Sequence, residues 1–214
     1  MDIILNDIEA RVLGCLIEKS MTTPDYYPLS LVALTTACNQ KSSRNPVMSL
    51  EDTTVVRALD SLKSKRLVVQ GASGRVPKYS ETFVSLNNFV ARESSILMIM
   101  LLRGPQTIGE LRTRTERAYK FNSVDEVMET LEDLIDAQFV TKLPRLAGRK
   151  EPRYMHLLMG EPDVEAITPS PEPARLEVKA ENEKVDELVA EIEMLRTELS
   201  QLKNDFERFK SEFD

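Results

Sequence analysis

Few side chains in this 214-residue chain have the type and spacing to do chemistry. There is one histidine, His156, in a segment with a strand pattern, and no cysteine or second histidine stands at metal-ligand spacing from it. Such a histidine reads as structural. Cys15 falls on the apolar face of the first helix and is expected in the core. Cys38 ends the second helix, where an exposed, reactive thiol is the alternative to burial. No glycine-rich dinucleotide loop, phosphate-binding loop or nucleophile elbow occurs. The carboxylate pairs Glu51-Asp52 and Glu132-Asp133 are adjacent in sequence, so they do not share a helix face, and capping or solvation explains them. The chain is therefore expected to be non-enzymatic, with no cofactor and no metal. An enzyme using Cys38 or His156 is the contrary reading.

The other chemistry open to these residues is phosphate recognition. In the second half, basic residues gather at Arg112, Arg114, Arg117 and Lys120, and again at Lys142, Arg145, Arg149, Lys150 and Arg153. In the first half, Lys41 and Arg44 lie in a long loop, Arg57 on the third helix, and Arg75 and Lys78 in a hairpin. Hairpin wings and helix termini are natural phosphate contacts. A counter-signal is equally concrete. The third helix of the second half carries Asp125, Glu126, Glu129, Glu132, Asp133 and Asp136 with no Lys or Arg, and phosphates would repel it. The third helix of the first half offers Thr53, Thr54, Arg57, Ser61 and Ser64 against Glu51, Asp52 and Asp60.

The elements that would position these groups are written twice. Val55, Leu59, Leu62, Leu67 and Val68 precede Gly74-Arg75 and Pro77-Lys78-Tyr79. Val127, Leu131, Leu134, Phe139 and Val140 precede Gly148-Arg149 and Pro152-Arg153-Tyr154. The offset is 72 up to the apolar pair and 75 at Pro-basic-Tyr. A helix, a strand, a basic loop and a returning strand form the ending of a winged helix. The expected fold is mainly α with small β wings (α+β), as two tandem winged-helix domains, residues 1–86 and 87–159. A Pro-rich linker, 160–175, and a C-terminal coiled-coil helix, 176–214, are expected to follow.

Local signals set the expected boundaries. Asn6 with Glu9, and Thr107 with Glu110, have capping-box spacing. Ser123 with Glu126 caps the last helix of the second half. Pro28 suits the first turn of a helix from Leu29 to Cys38, Ser49 caps the next one, and Lys78–Leu86 reads as a returning strand. The run Ile96–Leu102 is apolar all round, so its helix is expected to be buried on several sides, between the two domains or in a dimer.

Bulk properties bound the class. Two cysteines are too few for a disulfide framework and suit a reducing compartment. No signal peptide is expected from the first residues, and seven apolar residues in a row fall short of the roughly 20 that span a membrane. The chain reads as cytoplasmic. Its net charge of −7 is uneven: residues 1–86 and 87–159 each carry +1, and residues 160–214 carry −9. The acidity belongs to the tail and does not exclude a nucleic-acid partner for the body.

That tail holds the clearest periodicity. Val185, Leu188, Ile192, Leu195, Leu199, Leu202, Phe206, Phe209 and Phe213 alternate in steps of three and four, a heptad seam. In a parallel pair, Glu191, Glu198 and Asp205 would face Arg196, Lys203 and Lys210 of the partner. A parallel homodimer is expected through Val185 to Phe209. A helix folded back on its own domains is the alternative.

Leu16-Ile17-Glu18-Lys19, Thr22-Thr23-Pro24-Asp25, Tyr27-Pro28-Leu29-Ser30-Leu31, Cys38-Asn39-Gln40-Lys41-Ser42 with Arg44, and Pro46-Val47-Met48-Ser49-Leu50 resemble the signature of the YceH-like family. The resemblance spans at least residues 5–160. It implies bacterial, cytoplasmic proteins with tandem winged-helix domains and no established biochemical function, and it supplies no catalytic residues. The polar loop after Cys38 is expected to be the functional surface, against a loop merely held by Asn and Ser hydrogen bonds to its own backbone. The leading expectation is a regulatory, DNA-binding homodimer. The alternative is a scaffold whose winged helices dock a protein partner.

Overall fold

The computed structural model describes residues 4–71, 76–145 and 151–162. The chain divides into two units, Met1–Pro169 and Ser170–Asp214, and every described residue lies in the first. The segment expected to form a coiled coil, with its seam residues, lies outside the described residues.

The first helix, α1 (Asp7–Thr22), starts at the box its spacing predicts. The Asn6 side-chain oxygen accepts from the Ile8 and Glu9 N–H groups at 3.0 and 2.9 Å, and the Glu9 carboxylate accepts from the Asn6 N–H at 2.9 Å. A single 3-10 turn, Pro24–Tyr26, leads into β1 (Leu29–Ser30) and α2 (Leu31–Cys38). The helix expected from Leu29 thus begins later: Leu29 and Ser30 pair with a strand, and the Ser30 hydroxyl caps α2 by accepting from the Ala33 N–H. The next helix, α3 (Asp52–Ser64), likewise begins beyond the expected Ser49 cap, with Glu51 at its N-cap. β2 (Val68–Gly71) and β3 (Lys78–Glu81) follow. The returning strand does not run on to Leu86. The Glu81 carboxylate accepts from the Val84 N–H at 2.9 Å, and the chain turns into the short α4 (Phe83–Leu86), which buries Phe83.

The second half comprises α5 (Ala91–Arg103), α6 (Ile108–Arg114), α7 (Val124–Asp136), β4 (Val140–Lys142) and β5 (Tyr154–His156). The Thr107–Glu110 capping box forms, and Ser123 accepts from the Glu126 N–H at 3.1 Å.

The sequence repeat is also a repeat of hydrogen bonds. After α3, the Leu67 N–H reaches the Leu62 carbonyl; after α7, the Phe139 N–H reaches the Leu134 carbonyl, both at 2.9 Å and 72 positions apart. Between these residues, Arg66 and Gln138 adopt positive φ of 59° and 61°, the left-handed turn that closes a helix. The registers Val68↔Glu81 and Val140↔His156 differ by 72 on one strand and 75 on the other, the offsets of the sequence itself. Leu29 pairs with Tyr79 in a three-stranded sheet of order β1-β3-β2, and Gln106 forms an isolated bridge to Tyr154. The bridge is the second half's reduced version of β1, and each precedes a hydroxyl cap, Ser30 or Thr107.

The two halves share one core. The leading helices α1 and α5 pack together where Gly14 meets Leu101 and Leu102; a Cβ on Gly14 would stand 3.0 Å from Leu101 Cβ and Leu102 Cδ2. Larger side chains there would have to push the helices apart. Ser94 to Leu102 are all buried, which accounts for the all-round apolar run and leaves it unavailable as a dimer face. Phe83, Phe89 and Phe139 join the halves with tilted and edge-on ring contacts at centroid separations of 4.6–6.1 Å. Among the described residues no helix is long and apolar enough to cross a membrane.

His156 faces this core. It is 1% exposed, its Nδ1 has no hydrogen-bond partner, and burial pushes its pKa from 6.5 down to about 4. The unfolded chain therefore binds the extra proton more readily, and stability is lost as pH falls through the window between these values. Urea unfolding should show a loss of about 3 kcal/mol between pH 7 and pH 4 from this group, absent in His156→Leu. Parallel pH profiles for the two proteins would contradict the assignment.

Candidate functional site

The loop between α2 and α3 is built on two buried guanidinium groups. Arg44 has a side-chain exposure of 0% and forms an ion pair with Glu18 on α1 at 2.7 Å, Glu18 being 14% exposed. Its Nη1 also donates to Glu18 at 3.1 Å, completing a two-pronged pair. Nε and Nη2 donate to the Ala37 carbonyl at 3.1 and 3.0 Å, and Nη2 to Gln40 Oε1 at 2.9 Å. The end of α2 leaves unpaired carbonyls, and Arg44 satisfies one of them. Burial works to lower the Arg44 pKa, but the hydrogen bonds and negative charge of Glu18 and Cys15 together raise it. Burial works to raise the Glu18 pKa, and the Arg44 hydrogen bonds and charge bring it below the usual carboxylate range.

Arg11 plays the complementary part from α1. It is 2% exposed and donates to the Cys38 carbonyl at 3.1 Å and the Pro46 carbonyl at 2.5 Å. Burial lowers its pKa. Asn39 closes the loop at its base: its amide donates to the Leu50 carbonyl at 2.8 Å and its oxygen accepts from the Leu50 N–H at 2.7 Å. The Asn45 N–H donates to the Leu102 carbonyl at the end of α5. Loop residues Lys41, Ser42, Ser43 and Ser49 are exposed on this fixed backbone.

The expected phosphate contacts thus separate into groups. Lys41, Arg57 on α3 and Lys78 at the start of β3 are exposed and form no ion pair among the described residues. The register sets Lys78 opposite Ser30, the cap of α2. Arg44 must be removed from the set: its guanidinium is wholly enclosed and its donors are used inside the protein. In the second half, Arg153 binds the Pro105 carbonyl at 2.6 Å and Glu110 at 3.1 Å, Arg114 binds Gln106 and Glu110, and Arg112 donates to the Asn122 carbonyl at 3.4 Å. Glu110, the capping residue of α6, gathers two of these cations. Arg112 remains exposed, while Arg114 and Arg153 are half-buried. Arg75, Arg149 and Lys150 lie outside the described residues, as do Val185, Leu188, Ile192, Leu195, Leu199, Leu202, Phe206 and Phe209.

The groups considered for covalent chemistry are all enclosed. Cys15 and Cys38 are both buried, so the exposed thiol considered for Cys38 is not found. Hydrogen bonding to Cys15, then burial, pushes the Cys38 thiol far above its ordinary pKa. Among the described residues no group of His, Cys, Asp and Glu could hold a metal ion.

The family model described as "Protein of unknown function, DUF480" matches residues 5–149, from just before α1 to beyond β4 and short of β5. The chain belongs to this family. It is 52% identical to a UPF0502 protein of Geobacter sulfurreducens over 100% of both chains, an alignment that takes in residues 160–214 as well. A UPF0502 protein of Vibrio atlanticus is 48% identical over 95% of this chain and 97% of its own, and one of Pseudoalteromonas translucida is 49% identical over 91% and 95%. These bacterial relatives agree with the YceH-like resemblance carried by Thr22 to Leu50.

Neither buried arginine was legible as structural, although a signal existed. Arg11 sits inside the run Ala10–Leu13, and Glu18 follows one turn after Cys15. A cation and a carboxylate within an apolar stripe each need an internal partner, and those partners, the Cys38 and Pro46 carbonyls for Arg11 and Arg44 for Glu18, come from the loop. Arg44→Ala should destabilise the chain by about 3–5 kcal/mol, because Glu18 and the Ala37 carbonyl lose their partner inside the protein. Arg44→Lys should recover little of it, since an ammonium cannot reproduce the fork. Urea midpoints measure both, and a loss below about 1 kcal/mol for Arg44→Ala would refute the tether.

Proposed function

We propose that this protein is a non-enzymatic, dimeric, tandem winged-helix regulator that binds duplex DNA through its first half. The observation that carries the reading is the contrast between the two third helices. α3 presents Arg57 outward with Thr53 beside it, and its acidic Asp60 is offset by Lys63 at 2.8 Å. α7 presents carboxylates and no cation. In a winged helix the third helix enters the major groove, so α3 is the reading helix, with Lys41 and Lys78 as backbone contacts from the loop and the wing. The matched registers and helix-closing turns of the two halves support the tandem assignment. The second half then acts mainly by packing α5 on α1 and holding the first half's loop through Leu102.

Three cationic contacts per protomer give an expected slope of about −3 per bound protomer in log affinity against log salt concentration. Lys41→Ala and Lys78→Ala should each flatten that slope by about 1, and Arg57→Ala should cost about 1–3 kcal/mol and relax sequence preference. Duplex DNA titrations between about 50 and 200 mM salt test this. No binding at the lower concentration, or affinity indifferent to salt, would sink the proposal.

The dimer rests on the heptad seam and its matched flanking charges. Replacing Ile192 and Leu199 by Asp in the full chain should halve the mass measured by light scattering. An identical mass for the variant and the parent would remove the coiled-coil assignment.

A further inference from the structure

We propose that the outward ridge of α7 is a docking surface for a cationic, amphipathic segment of another protein. Val124 and Met128, four residues apart and so on one stripe, are 43% and 41% exposed. Beside this stripe run Asp125, Glu129, Glu132 and Asp136, all exposed. The other two carboxylates of the helix have internal work: Glu126 accepts from the Tyr119 hydroxyl and the Asn122 N–H, and Asp133 pairs with Arg92 at 3.1 Å. The four on the ridge form no ion pair or hydrogen bond with any described side chain.

Asp125 stands in the first turn, where its charge suits the helix dipole, but the ladder that continues from it opposes the stability of the helix. Asp125 and Glu129, Glu129 and Glu132, and Glu132 and Asp136 are spaced three or four residues apart, where like charges repel. Asp136 stands in the last turn, at the negative end of the helix dipole, with no basic residue in that turn to offset it. The fold does not need these charges, because Val127, Leu131 and Leu134 supply the packing face. A local rule broken without internal compensation marks a surface completed from outside.

Charge complementarity fixes the chemistry of the occupant. A cationic strand or helix relieves the repulsion, and apolar side chains on it cover Val124 and Met128. Nucleic acid is excluded by its own charge. The chain's own residues 160–214 carry −9 and are excluded for the same reason. The surface is separate from Lys41, Arg57 and Lys78, so DNA and the protein segment are accommodated on different halves.

The test uses the full chain and a fluorescent helical peptide of alternating Leu and Lys turns, with a Glu-for-Lys analogue as control, in 150 mM salt. The Lys peptide should bind and the Glu analogue should not. The double variant E129Q/E132Q should weaken binding at least tenfold and Met128→Ser about fivefold, while Asp25→Asn, an exposed acid remote in sequence, changes nothing. E129Q/E132Q should also raise the melting temperature of the unbound protein by a few degrees, as the ladder of like charges is broken. DNA affinity should be undiminished in the same variant. Peptide affinity within twofold of the parent for E129Q/E132Q, or an equal loss from Asp25→Asn, would overturn the proposal. So would self-association that depends on Glu129 and Glu132, which would make a second copy the occupant.

Discussion

The buried ion pair between Arg44 and Glu18 is the constraint on which the first half depends. It joins the loop after α2 to the later turns of α1 and at the same time satisfies the carbonyl of Ala37. Removing a guanidinium from water is costly unless its donors find partners, and for Arg44 Glu18, Ala37, Gln40 and Ser43 provide them. Arg11 then holds the Cys38 and Pro46 carbonyls from the same helix. Together the two arginines let a polar loop of about a dozen residues, longer than a usual helix-turn-helix connection, keep one conformation. Lys41 owes its fixed presentation to these side chains.

The second half meets the same problem with a smaller device. Where the first half has β1 paired along β3, the second has one bridge from Gln106 to Tyr154. Gln106 is buried and its amide donates to the carbonyls of Arg103, Gly104 and Pro105, so it also finishes α5. Arg153 and Arg114 converge on Glu110, which is already tied to the N-terminus of α6. Two of the cations that looked like part of a phosphate-binding cluster in the linear sequence, Arg114 and Arg153, are thus engaged in fastening the base of the hairpin to α6. The duplicated frame has been kept, while its charges have been reassigned.

Much of that frame was legible. The offsets of 72 and 75 reappear in strand register because register follows from which apolar residues must face the core, and a one-residue slip would turn them all outward. The capping boxes at Asn6 and Thr107 were legible because they are local, needing only residues three apart. The start of α2 was not, because Leu29 and Ser30 are held by β3, some 50 residues downstream, and no local propensity reports that partner. The role of Arg44 was misread for the same reason. Charge in a polar loop looks like surface until Glu18, on another helix, is seen beside it.

The two third helices show how one framework can serve two kinds of surface. α3 and α7 bury equivalent positions, Val55, Leu59 and Leu62 against Val127, Leu131 and Leu134, and both end in the same left-handed turn. Packing therefore constrains their inner faces alike and leaves the outer faces free to diverge. α3 has paired its acids or interrupted them with Arg57, Lys63 and small hydroxyl residues. α7 has accumulated carboxylates that repel one another across each turn and oppose the dipole at its end. If both helices met the same polyanion, the second would weaken the complex made by the first. A face of balanced charge on α3 and an acidic one on α7 instead suit the two different partners proposed above, with α1 packed on α5 between the helices that carry them.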